Sequence, residues 1–157
     1  MGELKRHPER GTSQREIVAA ILAEGLVAHV GIIDDQGAPV VIPMAYAPDG
    51  DDVLIHGSVA SRLMRTEGRI CVTVTLLDGL VVARSLFNSS MNYRSVVITG
   101  VPVRLEGDAR ERALQVLSNF LLPGRVGNAR EPSPVEIRQT AVWRLSLDDA
   151  TAKIRSG

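Results

Sequence analysis

The chain has 157 residues with 18 basic and 18 acidic side chains, and hydrophobic residues make up 45% of it. This length suits one globular domain, and a net charge of zero gives no overall attraction to nucleic acid or to an anionic membrane. The single cysteine, Cys71, excludes an intrachain disulfide, and the histidines have no metal-ligand spacing, so we expect no metal site. No apolar run approaches the ~20 residues that cross a bilayer, and we expect a cytoplasmic protein.

The first half of the chain is predicted to form two helices around an antiparallel meander. Residues 1–12 lack apolar periodicity and are a predicted N-terminal arm, so that residues 13–157 form a single domain. Ser13 and Glu16 have the spacing of a capping box at the first helix. Turn-forming Asp and Gly residues separate the apolar segments that follow. Strands are predicted over 26–33, 38–47 and 52–56, and helices over 13–24 and 58–67.

The second half continues the β pattern and adds one longer helix. Asp78-Gly79 is a hairpin turn signal between two apolar runs, and Ser133-Pro134 with Glu136 opens a short helix. Strands are predicted over 70–77, 80–87, 93–106 and 140–147, and a helix over 108–121. Turns spaced by roughly ten residues indicate a barrel or sandwich with helices at its periphery.

The tripeptide His56-Gly57-Ser58, followed by Ser61 and Arg62, has the composition of an anion site. If a strand ends at His56 and a helix begins at Ser58, the free N–H groups of that helix and the Arg62 guanidinium converge on one phosphate. A capping serine with surface arginines explains the same residues without a ligand.

A second polar cluster, Asn92-Tyr93-Arg94-Ser95, runs directly into an apolar strand. Tyr93 and Ser95 share one face of that strand, and Asn92 and Arg94 share the other. The cluster can therefore contact a planar ligand on one face of the strand and a charged group on the opposite face. An exposed strand edge with a surface arginine is the alternative.

Taken together, several segments resemble a known family. In chain order they are VIPMAY, LIHGS with SRLMR, CVTVTLLDGLVVARS, SMNYRSVVITG, LLPGR and DDATAKIRSG. They are similar to the flavin-binding split-barrel proteins related to pyridoxamine 5′-phosphate oxidase, and most similar to the nitroimidazole-resistance-type branch. The resemblance runs from about Arg10 to the C-terminus.

This resemblance implies a mainly β fold, a six-stranded antiparallel split barrel with flanking helices, and a homodimer with FMN bound across the subunit interface. The flavin ring is expected against Val41-Ile42-Pro43 and the His56 end of the next strand, and the phosphate at Ser61 and Arg62. Residues 92–95 are expected to line the site from the same or the partner subunit. The implied cofactor-binding residues are Val41, Ile42, Pro43, His56, Gly57, Ser58, Ser61, Arg62, Asn92, Tyr93, Arg94, Ser95 and Lys153.

The implied function is that of an FMN-dependent oxidoreductase acting on small nitro- or quinone-like molecules, with His56 as proton donor or substrate anchor. A structural role for His56 is the alternative. Asn88 stands where relatives carry a histidine, and Ser146-Leu147 follow Trp143-Arg144-Leu145, so we do not expect oxidation of pyridoxamine phosphate. A non-catalytic flavin carrier, or a split-barrel binder of F420 or heme, are the other hypotheses.

Overall fold

A computed structural model describes residues 10–157. The strands are β1 (Gly11–Thr12), β2 (Val27–Ile33), β3 (Pro39–Asp49), β4 (Asp52–Ser58), β5 (Ile70–Val81), β6 (Ser90–Gly100), β7 (Val103–Leu105), β8 (Thr140–Ser146) and β9 (Ala150–Arg155). The α-helices are α1 (Arg15–Glu24), α2 (Gly107–Leu121) and α3 (Pro134–Gln139), with short 3-10 turns at Leu63–Arg65 and Leu86–Asn88. In this part of the chain, no helix has both the length and the apolar character needed to span a membrane.

The strands form one antiparallel sheet in the order β1-β9-β6-β5-β2-β3-β4-β8-β7. Strand β3 changes partner along its length: residues 39–45 pair with β2, and residues 46–49 pair with β4. The sheet bends back on itself, so that Gly100 of β6 lies against Leu145 of β8, where an added Cβ would be only 2.8 Å from Leu145 Cδ1. This is a split barrel of the predicted class.

The barrel interior is filled by alternate residues of the strands and by one face of α1. Val18, Ile21 and Leu22 of α1 are buried, and Tyr46 of β3 is fully buried beneath them and donates a hydrogen bond from its hydroxyl to the Leu22 carbonyl at 2.6 Å. Burial raises the pKa of the Tyr46 phenol. Gly25 ends α1 so close to the sheet that a Cβ there would lie 2.6 Å from Val74 Cγ1.

The outer face of the sheet is covered on one side only. Helix α2 packs Ala113 and Leu117 against Ala47, Leu54 and Val142, which form a second buried cluster on β3, β4 and β8. On β2 the outward residues remain exposed while their neighbours in sequence are buried, as an alternating strand requires. A broad part of the outer face is therefore open to solvent in the described residues.

Strands β5 and β6 continue beyond the rest of the sheet as a two-stranded hairpin. We call residues 79–92 the extension. Its strands pair from Gly79 with Asn92 to Val81 with Ser90, whereas β2 accompanies β5 only over residues 71–74 and β9 accompanies β6 only over residues 93–98. Within residues 10–157, no third strand therefore flanks it.

The prediction of six strands is too low, because residues 10–157 contain nine. Of the predicted N-terminal arm, residues 1–9 lie outside the described residues, and Gly11–Thr12 pair with β9, a strand that the sequence pattern did not predict. The predicted long strand over 93–106 is interrupted, so that β6 ends at Gly100 and β7 begins at Val103.

Three local predictions were wrong. The predicted helix over 58–67 is only a 3-10 turn, since Ser58 still pairs with β8 and Val59 N–H donates to the Gln139 carbonyl. Asp78-Gly79 is a β-bulge inside one long strand, not a hairpin turn. The N-cap of α1 is Gln14, with no side-chain cap, instead of the predicted Ser13 box. The capping box of Ser133 and Glu136 at α3 is confirmed.

We predict that Tyr46→Phe lowers the free energy of unfolding by about 1–3 kcal/mol, because it leaves the buried Leu22 carbonyl without its donor. Urea unfolding followed by far-UV circular dichroism measures the change. Tyr93→Phe is the matched control, because its ring contacts Lys153 through the aromatic face, and it should leave stability nearly unchanged. Equal losses in the two variants would contradict the assignment of this hydrogen bond.

Candidate cofactor site

The change of partner along β3 leaves a gap in the sheet. Beyond Ile55, β4 leaves β3 and continues only with β8, pairing His56 with Val142 and Ser58 with Thr140. Over residues 39–45, the β4-side edge of β3 consequently has no strand partner in the described chain. We call this gap between residues 39–45 and 56–58 the split. An unpaired backbone edge beside polar side chains is a suitable place for a ligand.

Two methionine side chains lie beside Gly57 at the inner side of the split. A Cβ added at Gly57 would lie 3.1 Å from Met64 Cε and 3.8 Å from Met44 Cε. Met64 is buried in the main core, and Met44 is half-buried against it. Their thioethers give the split an apolar, polarisable floor. Any larger residue at Gly57 would have to displace Met64.

His56 lies on the outer face beside this floor. Ala47 of β3 and Leu54 of β4 pair directly and both point outward. Because side chains alternate along a strand, Val41 and Pro43 point to the same outer face as Ala47, and His56 to the same face as Leu54. His56 is half-buried, and desolvation lowers the pKa of its imidazole below the ordinary value of 6.5. At neutral pH the side chain is therefore uncharged, with one nitrogen that donates and one that accepts.

The turn after β4 carries the residues predicted for a phosphate. Ser58 Oγ accepts a hydrogen bond from Ala60 N–H, and Ser61 N–H donates to the Ser58 carbonyl, so no helix N-terminus points into the site. Arg62 is 59% exposed and its Nη1 lies 3.4 Å from Asp34 Oδ2. The remaining N–H groups of the Arg62 guanidinium are available for an anion.

Arg62 also lines a surface pocket of about 680 Å³ between the β2–β3 turn and residues 62–69. Its wall residues are Ile33, Asp34, Asp35, Arg62, Arg65, Thr66, Glu67, Gly68 and Arg69. Asp34 is held in the turn, because its Oδ1 accepts hydrogen bonds from Gln36 N–H and Ala38 N–H. Asp34 therefore stabilises the turn through Oδ1 and contacts Arg62 through Oδ2. Its sequence context indicates only the first of these roles.

The other predicted cluster is divided between the two faces of the sheet. Tyr93 and Ser95 face outward with Lys153, which pairs with Ser95, and the Lys153 ammonium lies 5.8 Å from the centroid of the Tyr93 ring. This is a cation–π contact at the outer surface of β6 and β9. Ser95 is buried. Tyr93 and Ser95 share a face as the sequence predicts, and Lys153 lies beside them there.

Arg94 and Asn92 do not reach the outer face. The Arg94 guanidinium makes bidentate ion pairs with Glu24 of α1 and with Asp78 of the bulge, at 2.6 to 3.1 Å. Hydrogen bonding to Arg94 lowers the pKa of Glu24 and of Asp78. Asn92 Oδ1 accepts a hydrogen bond from Gly157 N–H. Both residues anchor the base of the extension, and Ile42 likewise turns inward and packs against the core.

The outward residues thus form two groups on one face. The first comprises His56, Val41 and Pro43 beside the split, and the second Tyr93, Ser95 and Lys153. Strands β2 and β5 lie between β3 and β6, and neighbouring strands are spaced by roughly 4.8 Å, so the two groups are at least about 14 Å apart. The sequence analysis did not assign Met44 or Met64 to the site. Met44 lies two residues after Ile42, so the alternation of β3 already indicated that both side chains point inward.

These features define a split-barrel protein with an open cleft that has an apolar floor, a neutral histidine and a neighbouring arginine. The family model for pyridoxamine 5′-phosphate oxidase matches residues 14–154. The chain belongs to this family. None of the curated proteins matches it significantly.

Three solved structures are similar to this chain. Flavocytochrome Anf3 from Azotobacter vinelandii is 38% identical with a TM-score of 0.92, over 98% of this chain and 73% of that one. The FAD and heme binding protein from Mycobacterium smegmatis is 33% identical with a TM-score of 0.88, over 94% and 74%. A candidate 5-nitroimidazole antibiotic resistance protein from Bacteroides thetaiotaomicron is 21% identical with a TM-score of 0.74, over 92% and 86%, and shows the fold alone.

The lowered pKa of His56 predicts a pH-dependent stability. The unfolded chain protonates this imidazole near pH ~6.5, whereas the folded chain does so only at lower pH, so the free energy of unfolding falls as pH decreases below about 6.5. His56→Gln should remove this part of the decrease. Urea unfolding at about pH 7.5 and about pH 5.5 measures it, with His29→Gln at an exposed imidazole as control. The prediction fails if both variants retain the wild-type decrease.

Proposed function

We propose that the protein binds a flavin in the split, with the ring on the outer face beside His56, Val41 and Pro43 and the phosphate at Arg62. The observation that carries this proposal is the unpaired edge of β3 next to a half-buried, neutral imidazole and an exposed guanidinium. A flat apolar wall with a few polar groups is the usual form of a cofactor site. The printed names of relatives that bind FAD or are flavocytochromes support the same ligand class.

The residues fit the two ends of a flavin. Met44, Met64, Val41 and Pro43 provide the apolar surface that an aromatic ring system requires. Within residues 10–157, Arg62 is engaged only through Nη1, at 3.4 Å from Asp34 Oδ2, so this guanidinium retains donors for a phosphate. FMN is the finer proposal, because a single partly engaged guanidinium suits one phosphate. Mass spectrometry of the ligand released from purified protein distinguishes FMN from FAD.

We further propose a homodimer in which two copies share each site. The group at Tyr93, Ser95 and Lys153 is at least about 14 Å from the split within one chain, which is too far for both groups to touch one ring system. A second copy facing the first supplies the missing group. The open outer face, with Val41 at 65% exposed, supports such a contact.

The cytoplasmic location stays a prediction.

An oxidoreductase acting on small nitro or quinone compounds is the activity we propose for this site. A bound flavin supplies hydride or electron transfer. The neutral His56 imidazole donates one hydrogen bond to a substrate oxygen, which is the substrate-anchor role, while the methionine floor excludes water from the inner side of the ring. A flavin carrier without its own substrate would bind the cofactor but show no donor-dependent reduction of nitro compounds or quinones.

We predict that Arg62→Ala weakens FMN binding about tenfold to a hundredfold, from loss of a charge-assisted contact worth ~1.5–3 kcal/mol. Quenching of flavin fluorescence during titration measures the affinity. Arg112→Ala, at an exposed arginine of α2, is the matched control and should bind as the wild type does. Equal affinity of Arg62→Ala and Arg112→Ala would remove the phosphate assignment.

Heme is the second candidate ligand, and one observation favours it. The two solved relatives described above that exceed 30% identity have names that include heme or a cytochrome. Neutral imidazole is the form that ligates iron, and His56 is the half-buried histidine of residues 10–157 whereas His29 is exposed. His56 would then hold the iron at the outer face of the split.

Titration with hemin tests this alternative through the Soret band. We expect the band of the bound heme to be lost in His56→Ala and retained in His29→Ala. Binding that is unchanged in His56→Ala would exclude His56 as the ligand. If the protein binds FMN and no heme, the heme alternative fails and the flavin proposal stands.

A further inference from the structure

Another pocket lies between α2 and the loop that follows it. It has a volume of about 380 Å³, and its wall is formed by one face of α2, by residues between 122 and 132 and by Ile137 of α3. We call it the α2 pocket. No residue of the split and none of the pocket at Arg62 lines it, so it is separate from the proposed flavin site. Its volume lies within the range of small-molecule sites.

Much of the wall of the α2 pocket is apolar. Leu114 and Ile137 are half-buried in it. Leu122 and Val126 also line it, and they are 61% and 41% exposed. A hydrocarbon chain or ring placed in the pocket would remove this surface from water, which is favourable. The wall therefore suits a ligand with an apolar body.

The α2 pocket is elongated along the helix. From the first lining residue of the helix, Glu111, to the last, Leu122, an α-helix rises by about 16 Å. Arg125 N–H donates a hydrogen bond to the Leu122 carbonyl at 3.1 Å, so Arg125 lies at the Leu122 end. Glu111 and Arg125 are therefore at opposite ends of the pocket.

The protein itself neutralises only some of the charges in this wall. The Arg130 guanidinium makes a bidentate ion pair with Glu136, at 2.7 and 3.0 Å. Within residues 10–157, by contrast, the carboxylates of Glu111 and Glu131 make no hydrogen bond or ion pair. Arg125 donates only from Nη1 to the Asn128 carbonyl, at 3.4 Å. The pocket thus has an unpaired negative charge at one end and a largely unpaired positive charge at the other.

The wall opposite α2 is held in shape by its own conformation and hydrogen bonds. Gly124 and Gly127 have φ angles of 76° and 83°, which favour glycine. Asn128 Nδ2 donates to the Gly124 carbonyl at 2.9 Å, and the capping box of Ser133 and Glu136 fixes the start of α3. A pocket that is already formed needs little ordering when a ligand enters, which favours binding.

We propose that the α2 pocket binds an elongated zwitterionic small molecule, with its ammonium group at Glu111 and its carboxylate at Arg125. Its apolar body packs against the aliphatic wall between them. A guanidinium suits a carboxylate because it can donate two parallel hydrogen bonds. Ion pairs at exposed positions contribute little each, so the apolar body supplies most of the affinity and the two charges select the orientation. An ω-amino acid is the simplest ligand of this class.

NMR titration of the full chain with 8-aminooctanoate tests the proposal. We expect saturable shifts of backbone amide signals in residues 111–137 and none in residues 39–45 and 56–62. Octanoate and octylamine, which each retain one of the two charges, should bind roughly threefold to fivefold more weakly. Absence of saturable binding, or shifts without a preference for residues 111–137, would overturn the proposal.

Two tryptophan variants test whether the pocket is the site. Ser118→Trp places a large ring on the face of α2 that lines the pocket and should abolish binding. Asn119→Trp, at the next exposed position of the same helix, does not line the pocket and should bind as the wild type does. Equal binding by the two variants would contradict the assignment. So would a Ser118→Trp variant that retains the ligand and changes only its sedimentation coefficient, because the pocket would then be a contact between copies.

Two charge variants test the orientation of the ligand. Glu111→Gln should weaken 8-aminooctanoate and octylamine and leave octanoate unchanged. Arg125→Gln should weaken 8-aminooctanoate and octanoate and leave octylamine unchanged. Glu16→Gln and Arg112→Gln, at exposed residues outside the pocket, are the matched controls. Equal losses for all three molecules in either variant would show that the charge at that end does not select the ligand.

A titration in the presence of saturating FMN separates this pocket from the proposed flavin site. We expect the affinity for 8-aminooctanoate to be the same with and without FMN. Competition between the two ligands would overturn the proposal, because it would place both in one site. If the protein binds no FMN, the flavin proposal fails, and the binding of 8-aminooctanoate still reports on the α2 pocket.

Discussion

The course of β3 is the constraint on which the site depends. A strand that paired with β2 and β4 along the same stretch would leave no gap in the sheet. Here β3 pairs with β2 through Ala45 and with β4 only from Tyr46 onward. The buried Tyr46 stands at this changeover and fastens it to α1 through the Leu22 carbonyl. The split, the position of His56 and the exposed edge of β3 all follow from that one change of partner.

The sequence could predict most of this fold because its signals are local. Alternation of apolar residues predicts β2 through β6 and β8, and the spacing of Ser133 and Glu136 predicts the start of α3. The block from His56 to Arg62 could be predicted as a unit, because it is contiguous and its members stay close together around one turn. Periodicity within a short window is sufficient for such features.

The remainder depended on contacts between distant segments. Asp78-Gly79 has the composition of a turn, but Arg94 binds the Asp78 carboxylate and holds the pair as a bulge in a continuous strand. Residues 58–67 have helical spacing, but the pairing of Ser58 with β8 keeps the backbone extended. Arg94 itself has the chemistry of a phosphate ligand, and only the position of Glu24, 70 residues away in the chain, shows that its charge is already neutralised.

The two edges of the sheet also determine which assemblies are open to the protein. In the part of the chain that the structure describes, the sheet ends on one side with β1, which has two residues, and on the other with β7, which has three. Such short borders offer few backbone groups to an incoming strand, so edge-to-edge growth into ribbons or fibrils gains little. Association through these two borders is therefore disfavoured, whereas contacts between faces that are related by a two-fold axis close after two copies. An exposed apolar face can thus persist without adding strands at either border of the sheet.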